Sequence, residues 1–515
     1  MARASGQAWP APIIGPSDGE RSPLIARRHA RLTRVGLVAV ALLVLLWTYH
    51  TALPKLAWPD EFIYLVGARK LVERGTLQTN FYLAHSILLL GYPHRDVHMP
   101  GYVFSLAPFV AALGGTLAAA TALNALAFLA SILLGHALAR SLLGAERPAA
   151  VAAGLFALLP PFPAYLRIAY PEWAVTLVFL AGLAWLFLGR GAAHAAVAGA
   201  LFAVGALFRE SLLLAFPLYL VRIERRPLLR GFLPAFLATL ALVVAPFARG
   251  RAVHPNALYP AILETSLRSA SPVTALGGAL AANVERNLAL LAQARPAENP
   301  EDAALAFLAL LAVAAAFGSR HLPPEGRRFA SAVFVSLGLL VLATFAFYVV
   351  RLRGGVWGGV RAFMPWAPVL LVLATPLLFR PRRAALTAAL VLASGLAFLA
   401  LDRQEIRFFN RYKSSDLEDQ ERRADYLGKY IDAQHPRRVL TRNFFYGFTR
   451  YPVEVIWSPP ADPRELAKLE SAIDYDFVAL PWQSPLRLAF IQNPRYLRVN
   501  KPDRDAELLI WRRLF

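Results

Sequence analysis

The chain has 515 residues, of which 57% are hydrophobic and 17% charged, and it contains no cysteine. Soluble domains carry about 25% charged residues, so the composition argues against an ordinary soluble enzyme, and the missing cysteine excludes disulfides, thiolate metal sites and a cysteine nucleophile. A net charge of +21 would suggest nucleic acid in a soluble protein, but here the arginines stand at the ends of apolar segments, as the positive-inside rule requires, and no nucleic-acid partner is expected.

Residues 1–33 read as a disordered cytoplasmic leader, Pro-, Gly- and Ser-rich over 1–26. The basic cluster Arg27, Arg28, Arg31 and Arg34 precedes a first apolar span near 34–50. No small-residue cleavage site follows, so this span reads as an anchor with its N-terminus inside. Further spans are expected near 118–140, 149–166, 173–189, 194–208, 211–221, 231–248, 303–318, 329–350, 362–379 and 384–400. About eleven spans put the clusters at Arg140/Arg147, Arg190, Arg222–Arg230, Arg320–Arg328 and Arg380–Arg383 on one side of the membrane. Residues 101–113 are apolar but too short to span, and are expected as a helix at the membrane surface.

The transmembrane domain is therefore expected over 34–400, with long outer loops at 51–117 and 249–302. Past residue 401 the composition turns polar, and short β-rich runs at 439–442, 453–457, 476–481 and 507–513 alternate with a helix at 462–472. This pattern predicts a small α/β domain over 401–515, outside the cytoplasm. The fold class is an α-helical polytopic membrane protein with that domain attached.

Acidic residues mark the outer surface. Asp60 and Glu61 open a helical pattern that closes before Gly75. The helix dipole favours negative charge there, and the plainer reading of Asp60 is an N-cap. Glu172 stands at an outer span boundary, where its sequence neighbour with a positive charge is Arg167. Arg209 and Glu210 sit between apolar stretches, and the plainer reading pairs them with each other; charges at membrane depth usually face a cavity or a partner. His85, His94 and His98 lie in the first outer loop at no metal-ligand spacing. A Gly-rich outer segment carries Arg351, Arg353 and Arg361, the last just before the Pro-bearing span. Backbone N–H groups and guanidinium forks of this kind suit a phosphate.

In order, these residues resemble the GT-C glycosyltransferases, family 39 branch, which holds the protein O-mannosyltransferases and the aminoarabinose transferase of lipid A. The resembling elements are Asp60-Glu61-Phe62-Ile63-Tyr64 closing on Gly75, then His98-Met99-Pro100-Gly101 before the surface helix, and Arg361-Ala362-Phe363-Met364-Pro365-Trp366-Ala367-Pro368. The family's H-P-P has Gly101 as its last residue here, and its late R-Y has Ala362. The resemblance covers about residues 30–400. It implies a hexosyl- or pentosyltransferase of the cytoplasmic (inner) membrane. A polyprenyl-phosphate sugar would be the donor and a lipid, glycan or protein hydroxyl the acceptor. By analogy Asp60 is the base and Arg361 holds the lipid phosphate, with Glu61, His98, Glu172, Arg209, Glu210 and Arg353 lining the substrates. No metal ligand set is evident, and the resemblance leaves a divalent cation open. A transporter with an acidic relay, an envelope polysaccharide polymerase or ligase, and a noncatalytic scaffold are the other readings.

Overall fold

The computed structural model describes residues 23–53, 59–77, 79–84, 87–88, 100–160, 162–189, 191–249, 271–295, 300–347, 360–379, 384–450, 452–457, 459–460, 462–500 and 508–514. Residues 1–22 of the leader lie outside them, and residues 23–33, expected as disordered, are the first turns of a helix.

Helix α1 (Pro23–Thr51) carries the basic cluster into the first span. It is followed by α2 (Pro59–Arg74), which begins on a proline and ends at Gly75, where φ is +64° and the Gly75 N–H reaches the Leu71 carbonyl at 3.0 Å. Only glycine takes that left-handed turn without strain. Next come α3 (Pro100–Leu113), the short helix expected at the membrane surface, and α4 (Leu117–Leu143), a full span.

Five described segments are single helices long and apolar enough to cross a bilayer: Arg28–Thr51, Leu117–Leu143, Asp302–Ser319, Pro324–Ala346 and Ala384–Arg411. The other expected spans are shorter or broken. The segment 149–166 is α5 (Glu146–Ala157) and then a 3-10 turn, Phe162–Arg167. Proline explains the break, since Pro160, Pro161 and Pro163 cannot continue an α-helix. Helices α6 (Glu172–Leu188) and α7 (Ala192–Phe208) follow. The segment 211–221 is not one helix but a 3-10 turn, Glu210–Ala215, leading into α8 (Phe216–Arg222). A π turn, Leu228–Phe232, opens α9 (Leu233–Arg249). Within 249–302, expected as the second outer loop, lies a helix the hydropathy pattern did not suggest, α10 (Pro272–Ala292). Then come α11 (Pro300–Ser319) and α12 (Pro324–Phe347). The Pro-bearing span is a helical turn, Val360–Phe363, a 3-10 turn, Met364–Trp366, and α13 (Ala367–Ala374).

The last helix, α14 (Ala384–Ile431), runs through residue 401 without a break. Residues 396–427 contain neither Gly nor Pro, so nothing stops the helix where the sequence turns polar. Beyond it lie β2 (Arg438–Thr441), α15 (Phe444–Thr449), β3 (Glu454–Trp457), α16 (Pro463–Ala472), β4 (Phe477–Pro481), α17 (Arg487–Ile491), β5 (Tyr496–Arg498) and β6 (Leu508–Arg513). Asn443 caps α15 by accepting from the Tyr446 N–H, and Asp462 caps α16 ahead of Pro463. The sheet order is β1-β3-β2-β4-β6-β5. Strand β1 (Phe81–Leu83) comes from the first outer loop and pairs parallel with β3. That loop is thereby tied into the C-terminal sheet, with Phe81 opposite Val455 and Leu83 opposite Trp457.

Candidate active site

The site forms where the start of α2, the start of α6 and the end of α7 meet the start of the Pro-bearing segment. Asp60 and Glu61 occupy the first turn of α2. Glu172 is the first residue of α6, after Pro171, and Arg209 follows the last residue of α7. Arg361 lies in the turn Val360–Phe363. Each charged group thus stands at a helix boundary, where spans leave the apolar layer and charge costs less.

Arg361 connects the group. Its Nε donates to Glu172 Oε1 at 2.6 Å, and its Nη1 lies 3.5 Å from Asp60 Oδ2. Arg209 Nη2 donates to the same Glu172 oxygen at 2.8 Å, and Arg209 Nη1 donates to the Arg361 carbonyl. The guanidinium of Arg361 also lies over the Tyr170 ring, 3.8 Å from its centroid, a cation–π contact that adds to its immobilisation. Two carboxylates and two guanidiniums therefore balance in one cluster. Exposure is graded across it: the Glu172 side chain is 0% exposed, Arg361 19% and Asp60 37%. Asp60 is the carboxylate that solvent or a substrate can reach. Among the described residues, Glu172 Oε2 is buried with no hydrogen-bond partner, an acceptor left open beside the two arginines.

Glu61 is turned inward. It is fully buried, and its Oε2 accepts the Ala169 N–H at 2.8 Å. Asn124, inside span α4, holds the same turn from below: its amide donates to the carbonyls of Tyr165, at 3.2 Å, and Ile168, at 2.7 Å. The Tyr102 hydroxyl donates to Asn124 Oδ1 at 3.4 Å, and Tyr102 meets Tyr64 edge to face at 5.0 Å. Burial pushes the Tyr64 phenol well above its ordinary range, against a smaller opposing pull from Arg361. Tyr64 is therefore a neutral donor at any physiological pH.

Several sequence expectations are redirected. Arg209 pairs with Glu172 and not with its neighbour Glu210, which opens the following 3-10 turn. Arg167 does not serve Glu172; it donates to the Tyr49 carbonyl at 2.7 Å and covers the Tyr49 ring. Gly101, the departure from H-P-P, has a steric reason. A Cβ there would come within 2.8 Å of the Phe208 backbone nitrogen, next to Arg209. His85, His94, His98, Arg351 and Arg353 lie outside the described residues. Among the described residues, no group of three His, Cys, Asp or Glu side chains could hold a metal ion. The sequence reading passed over Asn124, Tyr102, Tyr64 and Tyr170. Asn124 was the legible one, since a buried amide within a span usually has structural work to do.

No family model matches the chain, and no curated protein matches it. Solved structures do. The chain is similar to ArnT from Cupriavidus metallidurans bound to undecaprenyl phosphate, with TM-score 0.58 and 14% identity over 93% of this chain and 97% of that one. It is also similar to the oligosaccharyltransferase of Archaeoglobus fulgidus tethered to an acceptor peptide, with TM-score 0.55 and 11% identity over 87% and 69%. The complex of AglB from the same organism with an inhibitory peptide and a dolichol-phosphate aligns with TM-score 0.50 and 12% identity, again over 87% and 69%. Identities this low speak to the fold alone, and the chain shares the polytopic, mostly helical fold of these structures.

Proposed function

We propose that the chain is a glycosyltransferase that moves a hexose or pentose from a polyprenyl-phosphate donor to a hydroxyl acceptor. The reaction would take place at the outer face of the cytoplasmic membrane. The observation that carries this reading is the Arg361 guanidinium, held between the buried Glu172 and the accessible Asp60. A transferase of this kind needs a base for the acceptor and fixed positive charge for the leaving phosphate, within a few ångströms of each other.

In this reaction the acceptor oxygen attacks the anomeric carbon and its proton passes to Asp60. The bond from the anomeric carbon to the phosphate oxygen breaks, and the electron pair leaves with the polyprenyl phosphate. Arg361 receives that charge. Because Glu172 binds its Nε, the Nη groups are left to turn from Asp60 to the phosphate. Donor binding would then loosen Asp60 as it fills the arginine, coupling the arrival of the lipid to release of the base. Arg209 holds the Glu172 carboxylate in place and fixes the backbone carbonyl of Arg361. The fold supports the donor class, since the neighbouring structures hold undecaprenyl phosphate and dolichol-phosphate.

The test is transfer by purified protein in vesicles, using a panel of radiolabelled polyprenyl-phosphate sugars and membrane extract as acceptor. Label should move from at least one donor into a stable product. A folded preparation that binds polyprenyl phosphate but transfers from no donor would contradict the reading.

A further inference from the structure

The C-terminal domain exposes an apolar cluster with no place in the reaction above. Trp482 is 50% exposed, Leu488 56% and Ile491 54%. Leu488 and Ile491 are three residues apart on α17, hence on one face. Arg487 lies over the Trp482 ring at 5.0 Å and donates to the Trp482 carbonyl at 3.1 Å. From Phe477 to Asn500 the chain carries three arginines, Arg487, Arg495 and Arg498, and no acidic residue.

The direction of the sheet says which way this cluster faces. Helix α14 leaves the bilayer and climbs to Ile431, and strand β2 returns beside it, because the Asn443 amide donates to the Gln420 carbonyl at 2.9 Å. The carboxyl end of β2 therefore points back toward the membrane. There α15 rests on α2, with Phe62 meeting Phe445 and Phe448 at 5.6 and 4.9 Å. Strand β4 runs parallel to β2, with Thr441 opposite Ala479, so the turn after β4 emerges at the same end. The level can be bounded. Asn410 donates to the Thr51 carbonyl at the outer end of α1, and the ten residues from there to Gln420 rise about 15 Å. Three residues from Ala479 to Trp482 descend about 10 Å. Ala479 pairs with Thr441, two residues before Asn443, so Trp482 returns to roughly 12 Å above the outer end of α1.

We infer that the turn and helix carrying Trp482, Leu488 and Ile491 are a membrane-docking surface that seats the C-terminal domain on the outer leaflet. The inference rests on α1 and α14 spanning the bilayer. Tryptophan prefers the depth of lipid headgroups, leucine and isoleucine enter the acyl boundary, and arginine extends to phosphate while its stem stays apolar. The Arg487 guanidinium beside Trp482 is complementary to anionic headgroups, while Arg495 and Arg498 lie toward the other end of the sheet. Since β1 links this sheet to the loop between α2 and α3, docking would also steady the domain over the site.

The absence of cysteine gives a clean background for the test. Single-cysteine variants Leu488→Cys, Ser471→Cys and Leu392→Cys of the full chain are nitroxide-labelled in phosphatidylcholine–phosphatidylglycerol vesicles. Collisions with oxygen and with a water-soluble nickel chelate are then compared. Ser471 is exposed near the opposite end of the sheet, and Leu392 is an exposed residue of span α14. The ratio of oxygen to nickel accessibility at Leu488 should exceed that at Ser471 several-fold and approach that at Leu392. A ratio at Leu488 equal to that at Ser471, with Leu392 still in hydrocarbon, overturns the docking surface while leaving the spans intact. A label at Leu488 reached by neither reagent would mean a protein covers the patch, and would overturn it equally.

Discussion

Asp60 and Arg361 are 301 positions apart in the chain and meet at 3.5 Å. Helix α2 supplies the carboxylate and the broken start of the Pro-bearing span supplies the cation. In the proposed reaction the pair is a resting state that the donor phosphate opens.

Replacing Arg361 separates charge from geometry. Lysine keeps the charge but has no Nε to hold on Glu172 and no fork for a phosphate. Losing one hydrogen bond to a charged group costs about 1.5–3 kcal/mol, so Arg361→Lys should weaken donor binding about tenfold or more, and Arg361→Ala further. Equilibrium binding of a labelled polyprenyl phosphate to the reconstituted protein reads this directly. Unchanged affinity in both variants would place the phosphate elsewhere.

Glu172 compensates two guanidiniums through one oxygen. Removing one partner of a buried pair typically costs about 3–5 kcal/mol. Glu172→Gln should therefore lower the melting temperature in detergent and reduce transfer. Glu210→Gln, outside the cluster, should do neither to a comparable degree. Equal effects of the two variants would remove Glu172 from its central place.

Gly101 sits against the last residues of α7. Gly101→Ala forces the α3 start and the Phe208 backbone apart, and overpacking of this kind costs about 1–3 kcal/mol. Because Arg209 is the next residue, turnover should fall along with stability. A stable Gly101→Ala variant of full activity would show that α7 can shift without disturbing Arg209.

Asn124 acts at one remove. Asn124→Leu removes two hydrogen bonds to the Tyr165 and Ile168 carbonyls and the acceptor of the Tyr102 hydroxyl, each bond contributing about 0.5–1.5 kcal/mol. It should also release the turn that offers Ala169 to Glu61. The expected signature is a fall in kcat larger than the change in donor KM, since the base moves while the phosphate site stays. A change in KM alone would argue for a role in donor binding.

Much of the architecture could be read from the sequence, for identifiable reasons. The β-rich runs near 439, 453, 476 and 507 all became strands, because their apolar patterns were bounded by turn residues. Asp60, Glu172, Arg209 and Arg361 were each singled out as charges at span boundaries, and the structure brings all four together. Their pairing was not legible, because sequence neighbours looked like partners: Arg209 chose Glu172 over Glu210, a contact across 37 positions. Strand β1 was missed because a three-residue strand has no period to detect and exists only through pairing with β3. The extent of α14 was missed because a change from apolar to charged residues looked like a domain boundary. It marks a change of solvent along one helix, which continues where no Gly or Pro interrupts it.

The central claim is that Asp60 takes the acceptor proton while the arginines hold the donor. Its most direct test is single-turnover transfer by Asp60→Asn, measured alongside binding of the same polyprenyl-phosphate sugar. Asparagine keeps the shape and a carbonyl oxygen for Arg361 but has little basicity, so the rate should fall about 10²-fold or more while donor affinity is kept or rises, since the phosphate no longer displaces a carboxylate from Arg361. Transfer at a rate close to the parent's, with the donor bound normally, would contradict the account.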